Sequence, residues 1–143
     1  MSYKNLAEQF FQTNYQMKKV NHQQIIDESL RGEIFTLLFL RDRKNNALPG
    51  EISEIMQISS ARVASILNNL ENKGFIERQI DKADRRRILV SLTSLGKESA
   101  NAHYQEVINQ ICKMFEILGE KDAKEFIRIM NKILDIASTM ECT

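Results

Sequence analysis

The hydrophobic period changes at Gly74, and this change constrains the fold more than any other feature of the chain. Upstream, from about Ser59, Val63, Ile66, Leu67 and Leu70 recur at the three- and four-residue spacing of a helix that buries one side. Downstream, "FIERQI" alternates Ile76, Arg78 and Ile80, and "ILVSLT" alternates Ile88, Val90 and Leu92, the two-residue period of strands. Ser59 or Ser60 suits a helix N-cap and Gly74 suits the position just past a helix end, so both ends of the helical stretch are chemically marked. The alternating runs leave residues 81–87 as a loop longer than the commonest two-residue hairpin turns, and it holds Arg85, Arg86 and Arg87. A helix leading directly into a hairpin with an extended basic tip is a winged element.

Ahead of it, a short segment over 50–57 carries Ile52, Ile55 and Met56, and a turn of about three or four residues joins it to the marked helix. Two helices in this relation form a helix-turn-helix, whose second helix enters the DNA major groove. At about 100° per residue, Val63, Ile66, Leu67 and Leu70 share one side of that helix; Ala61, Arg62, Ser65, Asn68, Asn69 and Asn72 share the other. The outward side is polar but hardly charged, which suits the reading of base edges: Asn pairs with adenine and Arg with guanine. An ordinary solvated helix has much the same composition, so it is the adjoining wing that favours DNA. Charge points the same way: residues 59–92 hold seven Lys/Arg against four acids, although the whole chain carries only +1.

The remaining pattern is helical. Leu6, Phe10, Phe11, Met17 and Val20 form a first amphipathic segment. Residues 30–42, with Ile34, Phe35, Leu37, Leu38 and Leu40, are apolar on nearly every side and are expected to be buried centrally. Thr93 can cap a long helix through Val107, Ile108, Ile111, Met114, Phe115 and Leu118, and after "GEKD" a last helix carries Phe126, Ile127, Met130, Ile133 and Leu134. The expected fold is mainly α with a small β-hairpin wing. The apolar run at 34–40 is far shorter than the roughly 20 residues of a membrane helix, and the first dozen residues lack a signal-peptide core, so a soluble cytoplasmic protein is expected. Cys112 and Cys142 have no metal or disulfide spacing; Cys112 reads as core of an apolar helix and Cys142 as tail. His22 and His103 stand apart and read as surface residues, so neither metal nor cofactor is expected. Nor is there a nucleophile motif, a phosphate-binding Gly-rich loop or a His-Glu metal motif, and an enzyme is not expected.

"ISSARVASILNNLENKGFIER" followed by "DKADRRRILVSLTSLGK" resembles the winged helix-turn-helix of MarR-type transcriptional regulators. The wing fits that family's Asp-x-Arg, five residues, Leu-Thr-x-x-Gly pattern through Asp84, Arg86, Leu92, Thr93 and Gly96, while Pro49 stands where the family often has a Thr or Ser cap. The resemblance implies a ligand-responsive repressor that acts as a homodimer on a pseudo-palindromic site in double-stranded DNA. It implies an N-terminal dimerisation helix over 1–29, a DNA-binding lobe over 30–96 and C-terminal dimerisation helices over 97–143. Candidate DNA-contacting residues are Ser59, Ser60, Ala61, Arg62, Ser65, Asn68 and Asn69 on the helix, with Asp84, Arg85, Arg86 and Arg87 on the wing. In the family the wing arginine enters the minor groove and the nearby Asp helps to orient it, a role that falls to Arg86 and Asp84. Arg85 and Arg87 are expected to contact phosphate or pair with acids, and a structural role for Arg87 beside Glu77 is an equal alternative. Relatives answer to small molecules, thiol oxidation or zinc. A small-molecule effector is the input this sequence leaves open, and Phe10, Phe11, Tyr15, Phe35 and Phe39 read as core or dimer interface before they read as its cleft. The rival from another class is a winged-helix protein-interaction module.

Overall fold

The computed structural model describes residues 2–23, 28–43 and 46–141, with side chains left undescribed over 20–30. Helix α1 (Tyr3–Gln23) is followed by α2 (Glu28–Asp42), α3 (Pro49–Met56), α4 (Ser60–Asn72), strands β1 (Ile76–Ile80) and β2 (Ile88–Leu92), α5 (Ser94–Leu118) and α6 (Glu120–Met140). The hairpin is antiparallel, in register from Ile76 opposite Leu92 to Ile80 opposite Ile88. Ala47 adds a short bridge to its outer edge by exchanging both backbone hydrogen bonds with Val90, at 2.9 and 2.8 Å.

One core joins α2, α3, α4, the hairpin and the start of α5. Leu37, Ile52, Val63, Leu67, Leu70, Ile76, Val90 and Ala100 are all essentially sealed from solvent. The expected central burial of α2 is corrected in detail. Phe35 is 42% exposed, whereas the buried face includes the polar Glu33 and Thr36 together with Leu37 and Leu40. Each buried polar group has a partner, as burial demands: the Thr36 hydroxyl donates to the Gly32 carbonyl at 2.8 Å, and Lys73 Nζ donates to Glu33 at 2.9 Å. At Gly32 helix α2 lies close against α4, since a Cβ there would be 2.7 Å from Ile66 Cδ1. Alternation in the hairpin likewise buries only its base. Ile76 and Val90 are sealed, but Ile80 and Ile88, paired near the tip, are exposed beyond the reach of the helices.

Helix ends follow local chemistry. Pro49 occupies the first turn of α3, where its missing N–H costs nothing. Because Leu48 offers no side-chain cap, Glu51 accepts the Leu48 N–H instead, at 3.1 Å. The final helix starts earlier than expected: Gly119, at φ +93°, breaks the chain, and Glu120 and Asp122 already lie in the first turn of α6, where acidic groups favour the helix dipole. At the other end of α5, Thr93 accepts the Gly96 N–H at 3.0 Å as N-cap and donates its hydroxyl to the Gly74 carbonyl at 2.6 Å. Its own N–H donates to the Phe75 carbonyl at 3.0 Å. Arg41, at the end of α2, lies 3.9 Å over the Tyr104 ring and donates to Asn101 at 2.7 Å, securing α2 to α5.

Outside this core the terminal helices lack cover within one chain. Phe10, Phe11, Met114, Ile133 and Leu134 are exposed, and Cys112, expected in a core, is exposed as well. The apolar character of α5 around Cys112 is real, but among the described residues of one chain Cys112 stays uncovered. Cys142 lies outside the described residues.

A Cβ at Gly96 would collide with the Phe75 carbonyl, whereas one at Gly50 meets nothing within 4 Å. Gly96→Ala is therefore expected to destabilise by about 3 kcal/mol, the upper part of the usual overpacking range. Gly50→Ala, on an exposed helix position, is expected to stabilise by about 0.5–1 kcal/mol. Urea unfolding at a fixed chain concentration checks both; equal midpoints for the two variants would contradict the packing described.

Candidate nucleic-acid interface

The α4 helix begins and ends as its sequence dictates. Ser59, in extended backbone, accepts the Arg62 N–H on its hydroxyl at 3.1 Å. At the far end Gly74 takes φ +79°, a conformation favourable to glycine, and the Gly74 and Phe75 N–H groups close back on Glu71 and Leu70, both at 2.9 Å. Between these caps Val63, Ile66, Leu67 and Leu70 face the core. Ser60, Ala61, Arg62, Ser65, Asn68, Asn69 and Asn72 are exposed, which is the division the periodicity implies. Within the candidate set Ser59 stands apart, because its oxygen already serves the helix start.

Arg78 links this exposed face to the wing. From β1 it donates Nε to Glu71 Oε2 at 2.8 Å and Nη2 to Glu71 Oε1 at 3.2 Å, while Nη2 also reaches Asn68 Oδ1 at 2.7 Å. The hydrogen bonds from Arg78 hold the Glu71 carboxyl below the usual carboxylate range, and Glu71 in turn raises Arg78. The sequence puts Arg78 in the alternation of β1 but gives it no partner. Its alternation with Ile76 was the available signal, since that placed it on the strand face turned toward the helices.

The wing loop is tied by its own aspartates. Asp81 donates its N–H to the Arg87 carbonyl at 2.9 Å, Arg87 donates its N–H to the Asp84 carbonyl at 3.0 Å, and the Asp81 carboxylate accepts the Ala83 N–H at 2.9 Å. Asp84 Oδ1 accepts both the Arg86 backbone N–H, at 3.1 Å, and Arg86 Nε, at 3.2 Å. The Arg86 side chain is nevertheless 91% exposed, so it is a charge aimed by a neighbour and presented to solvent. Hydrogen bonds from Arg86 hold the Asp84 carboxyl below its ordinary value. Arg85 is also exposed. The suggested approach of Arg87 to Glu77 is corrected by the register: Glu77 faces Ser91, and Arg87 lies opposite Asp81. Its charge is felt instead by Asp84 and by Glu51, which is itself paired with Arg43.

A cleft of about 460 Å³ lies on the lobe between α2, α3 and α4, lined by Arg31, Gly32, Phe35, Ile55, Met56 and Arg62. Of the aromatic set read from the sequence, only Phe35 lines it; Phe39 packs on the core, and Phe10, Phe11 and Tyr15 are exposed on α1. His103 lies 3.6 Å from Glu106, and the His22 side chain is outside the described ones. Among the described residues, no three His, Cys, Asp or Glu side chains gather as a metal-holding group. No helix among them is long and apolar enough to cross a membrane.

A helix-turn-helix whose second helix passes through a tight glycine cap into a hairpin wing defines a winged helix-turn-helix protein. Residues 30–87, which contain that unit, match the model of the MarR family. The HTH-type transcriptional regulator YwhA of Bacillus subtilis is 29% identical over 105 residues, 73% of either chain. The HTH-type transcriptional repressor YetL of the same organism is 22% identical over 77% of this chain and 66% of its own length. Among solved structures, the MepR–DNA complex of Staphylococcus aureus superposes with a TM-score of 0.62 at 22% identity, covering 94% of this chain and 98% of MepR, and so shares the fold. Residues 30–87 thus carry the winged helix-turn-helix of the MarR family, and the chain is similar over most of its length to HTH-type transcriptional regulators.

Because the Asp84 carboxyl is depressed by its arginine, the Asp84–Arg86 pair should persist as pH falls through the ordinary aspartate value of 3.8 and open only below it. An NMR titration of the Asp84 carboxyl carbon is expected to show a midpoint under 3.8 in the wild type that moves back toward 3.8 in Arg86→Ala. Identical midpoints in the two proteins would mean that the pair does not form in solution.

Proposed function

We propose that this regulator binds double-stranded DNA sequence-specifically as a homodimer, on a pseudo-palindromic operator, and represses transcription there in the cytoplasm. The carrying observation is the joined surface of α4 and the wing. A polar helix face of Arg62, Ser65, Asn68 and Asn69 adjoins a hairpin whose tip presents Arg86, and Arg78 physically bridges the two. On this reading Ser59, Ser60 and Ala61 approach the backbone at the helix start, and Arg62, Ser65, Asn68 and Asn69 address base edges in the major groove. Arg86, oriented by Asp84, enters the minor groove, where narrow width concentrates negative potential. Arg85 and Arg87 contact phosphate. Repression follows the name of YetL, and DNA binding agrees with the MepR complex.

Dimerisation accounts for the uncovered helices. Phe10 and Phe11 are 72% and 67% exposed, and Ile133 and Leu134 are 60% and 62% exposed, an apolar surface that folded monomers rarely leave in water. The reading therefore assigns residues 1–29 and 97–143 to dimerisation and 30–96 to DNA binding, with two lobes meeting half-sites about 34–36 Å apart. The cleft beside Phe35 is the place for a small-molecule effector. The family consists of regulators, and no catalytic role is assigned.

Titration of wild type and variants against cognate and scrambled duplexes at several salt concentrations tests this. Arg86→Ala should weaken binding to every sequence and flatten the log–log salt slope by about one unit per subunit. Arg62→Ala or Asn69→Ala should cost about 1–3 kcal/mol on the cognate site and relax preference at particular base pairs. Duplex affinity untouched by any of these changes, or the absence of sequence preference, would favour a protein-interaction module. Light scattering that showed a monodisperse monomer at micromolar concentration would refute the dimer.

A further inference from the structure

We propose that Arg78, a wing-strand residue, is the positioning residue that decides what Asn68 reads on the recognition helix; the inference rests on the DNA-binding reading above. A guanidinium carries donors and no acceptor, so an Asn amide bonded to it must present its oxygen. The 2.7 Å contact between Arg78 Nη2 and Asn68 Oδ1 therefore settles which way the amide is turned. Nδ2 faces away from the guanidinium. The Asn68 side chain is on the exposed face of α4, so its donor end is available to a groove.

The holder is itself held. Arg78 is 28% exposed and forked onto both oxygens of Glu71, at 2.8 and 3.2 Å, one helical turn from Asn68 on the same face. Three groups from two elements thus form a closed set in which Glu71 fixes the guanidinium and the guanidinium fixes the amide. An Asn without such a tie offers adenine its acceptor and donor together. With one carbonyl lone pair occupied and the amide plane fixed, Asn68 offers chiefly its N–H donors. It should favour base-edge acceptors, N7 and O6 of guanine or O4 of thymine, over the paired edge of adenine. Since Glu71 neutralises Arg78, this contribution is one of base preference and not of general attraction to phosphate.

The test is a double-mutant cycle on the full-length protein: wild type, Arg78→Lys, Asn68→Ala and the pair, each titrated against duplexes with every half-site base pair substituted in turn. Lysine keeps the charge but cannot fork to Glu71 and Asn68 together. Arg78→Lys is expected to weaken cognate binding about tenfold and to relax preference at the base pairs where Asn68→Ala does, with scrambled duplexes within about twofold. In the Asn68→Ala background the same change should alter binding by less than about twofold. Glu71→Gln, which loosens the holder without touching Asn68, should relax the same positions more weakly, and it serves if Arg78→Lys lowers thermal stability. Losses of equal size in both Asn68 backgrounds, or spread evenly over all base pairs, would overturn the proposal while leaving DNA recognition intact. A wild-type protein that discriminates no duplex would overturn the DNA reading and this inference with it.

Discussion

Thr93 donates its hydroxyl to the Gly74 carbonyl and its amide to the Phe75 carbonyl, while Gly96 brings the first turn of α5 against the same Phe75. The end of α4, the start of the wing and the start of α5 thereby meet at one corner, with little room for adjustment. If that corner moves, the exposed face of α4 changes its angle to the hairpin and to the helix that leaves for the rest of the molecule. The requirements are strict in kind. A glycine must accept φ +79° at position 74, a hydroxyl must both cap and donate at position 93, and no Cβ can be present at position 96. The Leu-Thr-x-x-Gly spacing is the covalent form of that geometry.

The charged groups follow a different logic from the core. Exposed ion pairs contribute little to stability, so Arg78 with Glu71 and Arg86 with Asp84 matter less as sources of folding energy than as devices that aim side chains. Asp84 leaves the Arg86 guanidinium facing outward, whereas that of Arg78 is turned onto Glu71 and Asn68. A chain with a net charge of only +1 can in this way still present a directed positive group on one surface. The more buried pair, Lys73 with Glu33, works inward and secures the end of α4 to α2 through the otherwise apolar contact of Gly32 and Ile66.

Much of the lobe was legible because its determinants are local. Ser59 and Gly74 mark α4, a change of period marks the hairpin, and the four buried residues of α4 fall on the stripe that the spacing requires. What escaped sequence reading depended on partners distant in the chain. Nothing beside Glu33 announces Lys73, forty residues away, so its burial could not be seen, and the bond from Arg78 to Asn68 exists only because the hairpin folds against the helix. The alternative that puts Arg87 beside Glu77 falls to the register, which strand pairing and the loop's own hydrogen bonds supply and the sequence does not. Cys112 was misplaced for the opposite reason: apolar neighbours in sequence say that a face will be covered, but not by what.

Helix α5 runs unbroken from Ser94 to Leu118, so it is a rod of about 37 Å at 1.5 Å per residue. One end is clamped at the corner formed by Gly74, Phe75, Thr93 and Gly96; the other reaches Gly119, where Phe115 and Phe126 meet edge to face at 6.4 Å between ring centres. A rod fixed at one end is a lever. Tilting it by about 5° at the clamp displaces the far end by about 3 Å, a large fraction of a side chain's width. In the proposed dimer the same lever runs in reverse: a shift of the helical ends by a few ångströms turns each lobe through only a few degrees, the two lobes moving as the two-fold axis relates them. Spacing along the duplex is then sensed as an angle at a glycine.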